Sequence, residues 1–534
     1  MSALFQPVGI AIAVVLSVYA ANAGEVDFSS ALRSLLLAAA AAFAVWCCLL
    51  RPLGDARKAA LVTSLVAILF WSSSSFVSAV EKIAGHGVGP SLLGLALLWL
   101  LVLPLLARRV ARASRNLDIV YRAVNVAAAV GVLVPIAILA ASLGQAPAPL
   151  VTPSPQQSMA AADRTGAQPD IYLIILDAQA RDDELAEYFE MSDGLGHRLG
   201  ELGFYVADAS NTNYSTTLHS LPSMLNFDLI QNLMECTRHS AAQANLTRLV
   251  RQNKFMNLLK ERGYKTIAYS TGISLSEGVI VDEHVDPPPL VTLWGRTIRV
   301  TPFERLLLAW TPLGPVLRHA PKLSPYTFHR ERILHTLSDI TRFATDPTPT
   351  FVFAHVISPH EPFVFGAKGE DVSTHEIPFR LNRIFDDPDL PIVPGLVGPE
   401  YARRYRAQAH YVGGLVVQAA KKILQNSTEP PIIIVAGDHG PYGFSPNVRR
   451  ARLAILNAYY LPHGGQRWLY PSISPVNSLR VVLNHYFGAE LPILPDSSFR
   501  TNWTEPCSFV EEIEGRNRNS ELREQREAIV EAEQ

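Results

Sequence analysis

The chain has 534 residues, of which 49% are hydrophobic and 18% charged, and its mean hydropathy is +0.16. This composition is too apolar for an ordinary soluble enzyme and excludes an intrinsically disordered chain. A formal net charge of −2 argues against nucleic-acid binding through bulk positive charge, and four cysteines are too few for a disulfide scaffold.

Five apolar runs precede residue 145, and each is long enough for a helix to cross a hydrocarbon core of about 30 Å. They cover residues 5–23, 32–50, 60–80, 89–107 and 123–144. Because short charged loops separate them, the sequence predicts five transmembrane helices within residues 1–144. The first run has no basic segment in front of it, which favours a retained helix over a cleaved signal peptide.

The charges of the loops predict the orientation of these helices. The second and fourth loops hold eight Lys and Arg, whereas the first and third hold only Arg33 and Lys82. Since basic loops stay in the cytoplasm, the N-terminus is expected inside and everything after residue 144 outside. The sequence therefore predicts a multi-pass protein of the inner or plasma membrane with a large extracytoplasmic domain.

Two segments lack the pattern of a folded core. Residues 145–168 are rich in Pro, Ala, Ser and Gln and predict a semi-extended linker. Residues 509–534 are rich in Glu and Arg and predict a charged, solvated C-terminal tail.

Residues 169–508 have the alternating pattern of an α/β domain. Short apolar runs predict buried strands at 170–177, 350–355 and 431–436. Helical patterns occupy 247–262 and 401–425 between them. This alternation predicts an α/β fold with a mainly parallel sheet.

Polar residues follow these strands at the edge where open parallel sheets bind ligands. Asp438 and His439 come directly after the 431–436 strand, and a carboxylate beside an imidazole suits a borderline divalent cation. Asp177 ends the first strand and could supply a third ligand, although an acid there is also typical of a helix N-cap.

A hydroxyl-rich segment at 211–226 precedes an apolar helical turn. Hydroxyls at a helix start are commonly caps, but one of them could be a nucleophile if a metal or a base activates it. His355 lies within an apolar strand, which favours a core residue. His360 lies in a Pro-bracketed loop and could bind an anion or protonate a leaving oxygen.

The order of Asp177, Thr217, His360 and the Asp438-His439 pair, all after a membrane region, resembles the sulfatase-like branch of the alkaline phosphatase superfamily. The nearest resemblance is to its membrane-anchored lipoteichoic acid synthases and phosphoethanolamine transferases. It implies an alkaline-phosphatase-like α/β/α sandwich. It also implies one divalent metal ion, zinc or manganese, bound by Asp177, Thr217, Asp438 and His439.

The resemblance selects Thr217 as the nucleophile, because Thr217-Leu-His-Ser220 fits the family's Thr-x-x-Ser frame, although Thr216 and Ser215 are rivals. His360 is the second implied catalytic residue. The family often places another His soon after the Asp-His-Gly, whereas none occurs in 441–456. Arg452 could take over anion binding there or could be a surface charge.

The function implied is that of a membrane-bound, metal-dependent hydrolase or transferase acting on phosphate or sulfate esters through a covalent Thr217 intermediate. It would move a phospholipid-derived head group onto an envelope lipid or polymer. The implied partners are the bilayer and a phospholipid or a sulfated or phosphorylated envelope substrate. The alternatives are an ester hydrolase on envelope glycans and a catalytically inactive envelope scaffold.

Two cysteines, Cys236 and Cys507, fall in the predicted extracytoplasmic domain, where oxidation is permitted. They could form a disulfide between the loop after the nucleophile and the C-terminal end.

Overall fold

A computed structural model describes residues 3–22, 28–85, 87–113, 117–144, 168–236, 239–273, 275–288, 292–293, 296–297, 301–318, 325–372, 398–442 and 448–512. The chain divides into two compact units, Met1–Ala146 with Pro289–Thr327 and Pro147–Pro288 with Phe328–Gln534. The predicted linker lies outside the described residues except for Gln168, and the predicted tail is described only to residue 512.

Among the described residues up to Gly144 the regular elements are all helices, and helices alternate with strands from Ile171 onward. In chain order the elements are α1 Phe5–Ala21, α2 Phe28–Leu53, α3 Ala56–Ala84, α4 Val88–Ala96, a π-helical segment Leu97–Val102, α5 Leu103–Arg112, α6 Asp118–Gly144, β1 Ile171–Leu176, α7 Asp182–Phe189, α8 Leu195–Gly200, β2 Tyr205–Val206, α9 Thr217–Leu225, α10 Ile230–Leu233, α11 His239–Arg251, α12 Lys254–Glu261, β3 Lys265–Tyr269, β4 Glu283–Val285, β5 Thr292–Leu293, β6 Arg296–Thr297, α13 Pro302–Trp310, α14 Leu313–Arg318, α15 Pro325–Asp339, β7 Thr350–Val356, α16 Pro399–Asn426, β8 Ile432–Gly437, α17 Val448–Leu453, β9 Asn457–Tyr460, α18 Pro475–Phe487, β10 Ser498–Arg500 and β11 Val510–Glu512.

The first unit contains, within the described residues, four helical stretches that are long and apolar enough to cross a membrane. They are Ala31–Leu53, Ala56–Ala84, Val88–Arg112 and Asp118–Ala141. Large apolar side chains on them are exposed, including Leu36 at 62%, Leu100 at 77% and Leu133 at 62%. An apolar outer surface of this kind suits contact with lipid rather than with water.

The structure corrects the predicted count of five transmembrane helices to four. The first apolar run forms α1, which has only 17 residues and is about 26 Å long at 1.5 Å per residue. The helix ends at Ala21, and the side-chain amide of Asn22 donates a hydrogen bond to the carbonyl of Val18. A polar residue at its end therefore makes this helix shorter than the predicted run of 5–23.

The second unit is built on a seven-stranded sheet with the order β2-β9-β8-β1-β7-β3-β4. Five neighbouring strands, from β8 to β4 in that order, are parallel. β9 is antiparallel to β8, and β2 is antiparallel to β9. The predicted α/β fold with a mainly parallel sheet is confirmed, and the three predicted strands are its central β1, β7 and β8.

The registers of these central strands place the predicted polar residues at one edge of the sheet. Leu176, the last residue of β1, lies opposite Val356 of β7 and Gly437 of β8. Asp177 and Asp438 are therefore the next residues along two adjacent parallel strands. Since both strands are fully buried, the two carboxylates emerge at a buried edge.

A disulfide joins Cys236 and Cys507, whose Cα atoms are 5.5 Å apart, which settles the pairing left open by the sequence. It connects the segment after α10 to the turn before β11 across 271 residues. Cys47 and Cys48 in α2 are free.

Replacing Cys236 and Cys507 together by Ser should lower the free energy of unfolding of the second unit by about 2–5 kcal/mol, because the bond restrains the unfolded chain. Thermal unfolding of the purified full chain in non-reducing buffer measures this. The double variant of Cys47 and Cys48 to Ser is the control. Equal melting temperatures for both double variants would contradict the expectation.

Candidate metal and nucleophile site

Asp177, Asp438 and His439 form a buried ligand group. Each offers one ligand atom, and these atoms lie within 4.8 Å of one another. His439 Nε2 is 3.6 Å from Asp177 Oδ1 and 3.5 Å from Asp438 Oδ2. Two carboxylates and one imidazole at this spacing can hold a divalent metal ion.

The hydrogen bonds of the two carboxylates show where a cation fits. Asp438 Oδ1 accepts from the backbone N–H groups of Ala178 and His439, at 3.1 and 2.9 Å. Asp438 Oδ2 and both oxygens of Asp177 accept no hydrogen bond from the described residues. Because an uncompensated buried charge is strongly destabilising, these three oxygens require positive charge nearby, as a divalent ion would provide.

The pKa values of the two acids differ because their neighbours differ. Burial raises the pKa of Asp438 to about 7, and the carboxylate of Asp177 adds to the rise. Burial acts in the same direction on Asp177, but His360, and after it the hydrogen-bonding His355, hold the pKa of its carboxyl well below the usual range. Asp438 therefore tends to stay protonated beside the charged Asp177. A bound cation would offset the charge of Asp177 and allow Asp438 to ionise as well.

His439 is present as the tautomer that a metal ligand needs. Its Nδ1 lies 2.8 Å from the carbonyl oxygen of Gly440, so Nδ1 carries the hydrogen and donates it. Its Nε2 therefore faces the carboxylates with a free lone pair. Burial, together with the charge of Arg452, lowers the pKa of His439 well below its ordinary value and keeps the ring neutral.

Thr217 is the predicted hydroxyl that reaches the ligand group. It is the first residue of α9, and its Oγ1 lies 3.0 Å from His439 Nε2. Because Nε2 is the acceptor, the hydroxyl of Thr217 donates this hydrogen bond. Its position at the first turn of a helix also leaves backbone N–H groups directed at any anion bound beside it.

The rival hydroxyls have other partners. Thr216 Oγ1 lies 2.7 Å from His219 Nδ1 and 2.9 Å from Thr501 Oγ1. The Nε2 of His219 donates to the carbonyl of Pro506 at 2.8 Å, so its Nδ1 accepts a hydrogen bond from the hydroxyl of Thr216. Ser215 Oγ accepts the backbone N–H of Thr501 at 3.0 Å. The hydroxyls of Thr216 and Ser215 are therefore engaged in supporting contacts.

Two further histidines face Asp177. His360 Nε2 is 4.0 Å from Oδ1, and its Nδ1 donates to the carbonyl of Glu361 at 2.5 Å. His355 Nε2 is 3.5 Å from Oδ2, and its Nδ1 bonds with the hydroxyl of Ser276 at 2.8 Å. His355 is buried as expected for a core residue, but its contact with Asp177 was missed. The sequence signal for this contact is the position of His355, which lies one residue before the end of the strand at 350–356 and so close to the sheet edge where Asp177 emerges.

Tight backbone turns bring these residues together. Ala178 has a φ of 64°, a left-handed conformation that costs about 1–2 kcal/mol for a residue with a side chain. The hydroxyl of Tyr405 donates to the carbonyl of Ala178 at 2.7 Å and accepts the N–H of Ala180 at 3.2 Å. A Cβ on Gly437 would lie 2.4 Å from the carbonyl oxygen of Gln179, so this approach of β8 to the turn requires glycine.

No family model and no curated protein matches the chain. Solved structures do, among them the C-terminal periplasmic domain of EcEptC from Escherichia coli in complex with Zn, with 15% identity over 65% of this chain and 94% of that chain and a TM-score of 0.40. A protein in the alkaline phosphatase superfamily from Vibrio parahaemolyticus matches with 12% identity over 63% of this chain and 73% of its own, at a TM-score of 0.38. The lipoteichoic acid synthase LtaP from Listeria monocytogenes matches with 12% identity over 59% and 71%, at 0.35.

These matches include the superfamily that the sequence motifs resemble.

Replacing Asp438 by Asn should remove bound metal from the purified full chain, because it deletes one of only two charged ligands in the group. Elemental analysis by mass spectrometry measures the metal-to-protein ratio. Without metal, this variant should melt no lower than the wild type, because it also removes one of two neighbouring buried acids.

The control is Asp183→Asn, which changes a half-exposed acid in the first turn of α7 that pairs with Arg181. It should bind metal like the wild type. A metal ratio in Asp438→Asn equal to that of this control would show that Asp438 is not a ligand.

Proposed function

We propose that the chain is a membrane-bound, metal-dependent enzyme that acts on phosphate or sulfate esters through a covalent intermediate on Thr217. The observation that carries the proposal is the 3.0 Å contact between Thr217 Oγ1 and His439 Nε2, beside two buried carboxylates. An alcohol is a weak nucleophile, so a hydroxyl placed at a metal-binding group has a chemical reason to be there.

The protein residues have separate roles in the reaction. A divalent cation, zinc or manganese, held by Asp177, Asp438, His439 and Thr217 would lower the pKa of the Thr217 hydroxyl and offset the charge of the ester oxygens. Thr217 Oγ1 loses its proton to solvent and attacks the phosphorus or sulfur atom, and the bond to the leaving oxygen breaks as the new bond forms. The imidazolium form of His360 donates its Nε2 hydrogen to the leaving oxygen, and the neutral ring then takes up the proton of the attacking water or acceptor hydroxyl in the next step. Water or an acceptor hydroxyl then attacks the same atom and releases Thr217.

The membrane unit supports an extracytoplasmic active site. The basic residues gather at the junctions of α2 with α3 and of α5 with α6, mostly in the flanking helix ends, and basic junctions stay in the cytoplasm. The chain after α6 then lies on the opposite side, whether or not α1 crosses the membrane. The disulfide between Cys236 and Cys507 agrees with an oxidising compartment.

This position favours substrates that come from the membrane. We infer that the donor is a phospholipid whose head group is moved onto an envelope lipid or polymer. The enzyme would therefore be a transferase at the cell membrane. Hydrolysis of sulfate or phosphate esters on envelope glycans is the competing activity, and an inactive scaffold is the competing role.

One experiment separates these functions. The full chain in phospholipid vesicles is incubated with labelled phospholipids and with generic phosphate and sulfate esters, with and without chelator. Chelator-sensitive transfer of a head group supports the proposal, whereas release of free sulfate or phosphate alone supports the glycan hydrolase. Bound metal without any turnover supports the scaffold.

Replacing Thr217 by Ala should lower turnover by about three orders of magnitude or more, because it removes the atom that forms the covalent bond. Bound metal should fall only in part, since three ligands remain. The control is Ser215→Ala, which changes a nearby buried hydroxyl bonded to Thr501. If Thr217→Ala turns over substrate like this control, another residue is the nucleophile.

Replacing His360 by Gln should lower kcat by about a hundredfold for alkyl esters, because the alkoxide then leaves without a proton. The loss should be much smaller for p-nitrophenyl esters, whose leaving group needs no proton. The exposed His410→Gln on α16 is the control. An equal loss for both ester types would argue that His360 has a different role.

A further inference from the structure

Arg452 is clamped to the turn that carries the ligand group. The N–H of Gly440 donates to the carbonyl of Arg452 at 2.7 Å, and Arg452 Nη1 donates to the carbonyl of Gly440 at 3.2 Å. A Cβ on Gly440 would lie 1.8 Å from the carbonyl oxygen of Ala451, so only glycine allows this approach. The side chain of Arg452 is 8% exposed, which excludes the surface charge considered from the sequence.

The guanidinium group of Arg452 lies against Tyr442, an aromatic residue that borders the ligand group. It stacks over the ring of Tyr442, whose ring is edge-on to His439 and His360 at centroid distances of 5.2 and 5.8 Å. The carbonyl of Gly440 that accepts from Arg452 also accepts from Nδ1 of His439. Arg452 and the predicted metal ligand therefore share one hydrogen-bond acceptor.

The segment after Arg452 also fixes its position relative to the nucleophile. The carbonyl of Leu453 accepts the N–H of Thr212 at 2.7 Å, and the carbonyl of Ala454 accepts the N–H of Arg181 at 3.3 Å. Thr212 belongs to the loop that leads to Thr217, and Arg181 belongs to the loop after Asp177. The backbone at Arg452 is thus bonded to all three loops of the site.

The charges of the metal centre cancel, so a further positive group is needed to attract an anionic substrate. The two carboxylates of the ligand group balance the charge of a divalent ion, and the neutral imidazole of His439 adds none. An anionic ester would therefore meet little net attraction from the metal centre alone. A buried guanidinium remains charged at any physiological pH, and its fork of N–H groups matches two oxygens of a tetrahedral anion.

We propose that Arg452 binds the non-bridging oxygens of the phosphate or sulfate group while Thr217 attacks it. This inference rests on the proposed function of the Thr217 site and names the residue that recognises its anion. Arg452 contacts the substrate group that reacts, and the same charge then stabilises the phosphoryl or sulfuryl group on Thr217.

The test uses Arg452→Gln and Arg452→Lys in the metal-loaded full chain in detergent. Gln keeps a donor for the carbonyl of Gly440 without the charge, and Lys keeps the charge without the fork. The probes are inorganic phosphate and inorganic sulfate, whose dissociation constants come from competitive inhibition and from the ligand-induced shift in melting temperature. We expect Arg452→Gln to bind both anions at least about tenfold more weakly with an unchanged metal ratio, and Arg452→Lys to lie between it and the wild type.

The matched control is Arg480→Gln. Arg480 is 5% exposed, and its guanidinium donates to the carbonyls of Phe227 and Pro492. Removing this equally buried charge should leave the affinity for phosphate unchanged. A similar loss in both variants would overturn the inference, since it would report general loosening of the fold.

The remaining outcomes separate the two proposals. Unchanged anion affinity in Arg452→Gln, or a loss of metal together with the loss of anion affinity, overturns the role of Arg452. No binding of either anion by the wild type overturns it as well. Anion binding that depends on Arg452 in a protein without esterase or transferase turnover upholds the anion site and rejects the proposed function.

Discussion

The site depends on the adjacency of two parallel strands that each end in an acid. Because Leu176 and Gly437 are paired in register, Asp177 and Asp438 emerge side by side in a buried space. Two charges so placed repel one another and lose their hydration, which destabilises the fold by several kcal/mol unless a cation compensates them. The topology of the sheet therefore creates the demand for a metal ion, and the neutral His439 completes the set without adding charge.

Thr217, the proposed nucleophile, is supported by a separate set of contacts at the start of α9. His219 stands between the hydroxyl of Thr216 and the carbonyl of Pro506. Pro506 precedes Cys507, which the disulfide ties to Cys236. The C-terminal segment thus supports the start of the helix, and Thr217 is the first residue of that helix. The candidate metal ligands follow strand ends and the proposed nucleophile begins a helix that the C-terminal segment supports, so the distance between them depends on the packing of the whole second unit.

The sequence predicted correctly those elements whose secondary structure is determined by the residues of a single segment. The buried strands β1, β7 and β8 and the long helix α16 follow from apolar runs and helical periodicity in single segments. The stretch 247–262 was predicted as one helix, but it contains parts of α11 and α12, because Asn253 accepts the N–H of Met256 and starts a new helix. The contact of His355 with Asp177 depends on which strands are neighbours. Nothing in the local pattern shows that residues 289–327 join the first unit.

Within the first unit, α13 of this segment packs against the ends of α1 and α2. Phe303 of α13 packs edge-on to Tyr19 at a centroid distance of 6.4 Å, and Glu304 forms an ion pair with Arg33. Tyr19 is near the end of α1 and Arg33 near the start of α2, whereas the first basic loop begins at the end of α2. α13 therefore packs at the helix ends that lie away from the basic junction of α2 with α3. A segment that leaves the α/β fold between β4 and β7 thus belongs to the packing of the first unit, because its apolar and acidic side chains find their partners on α1 and α2.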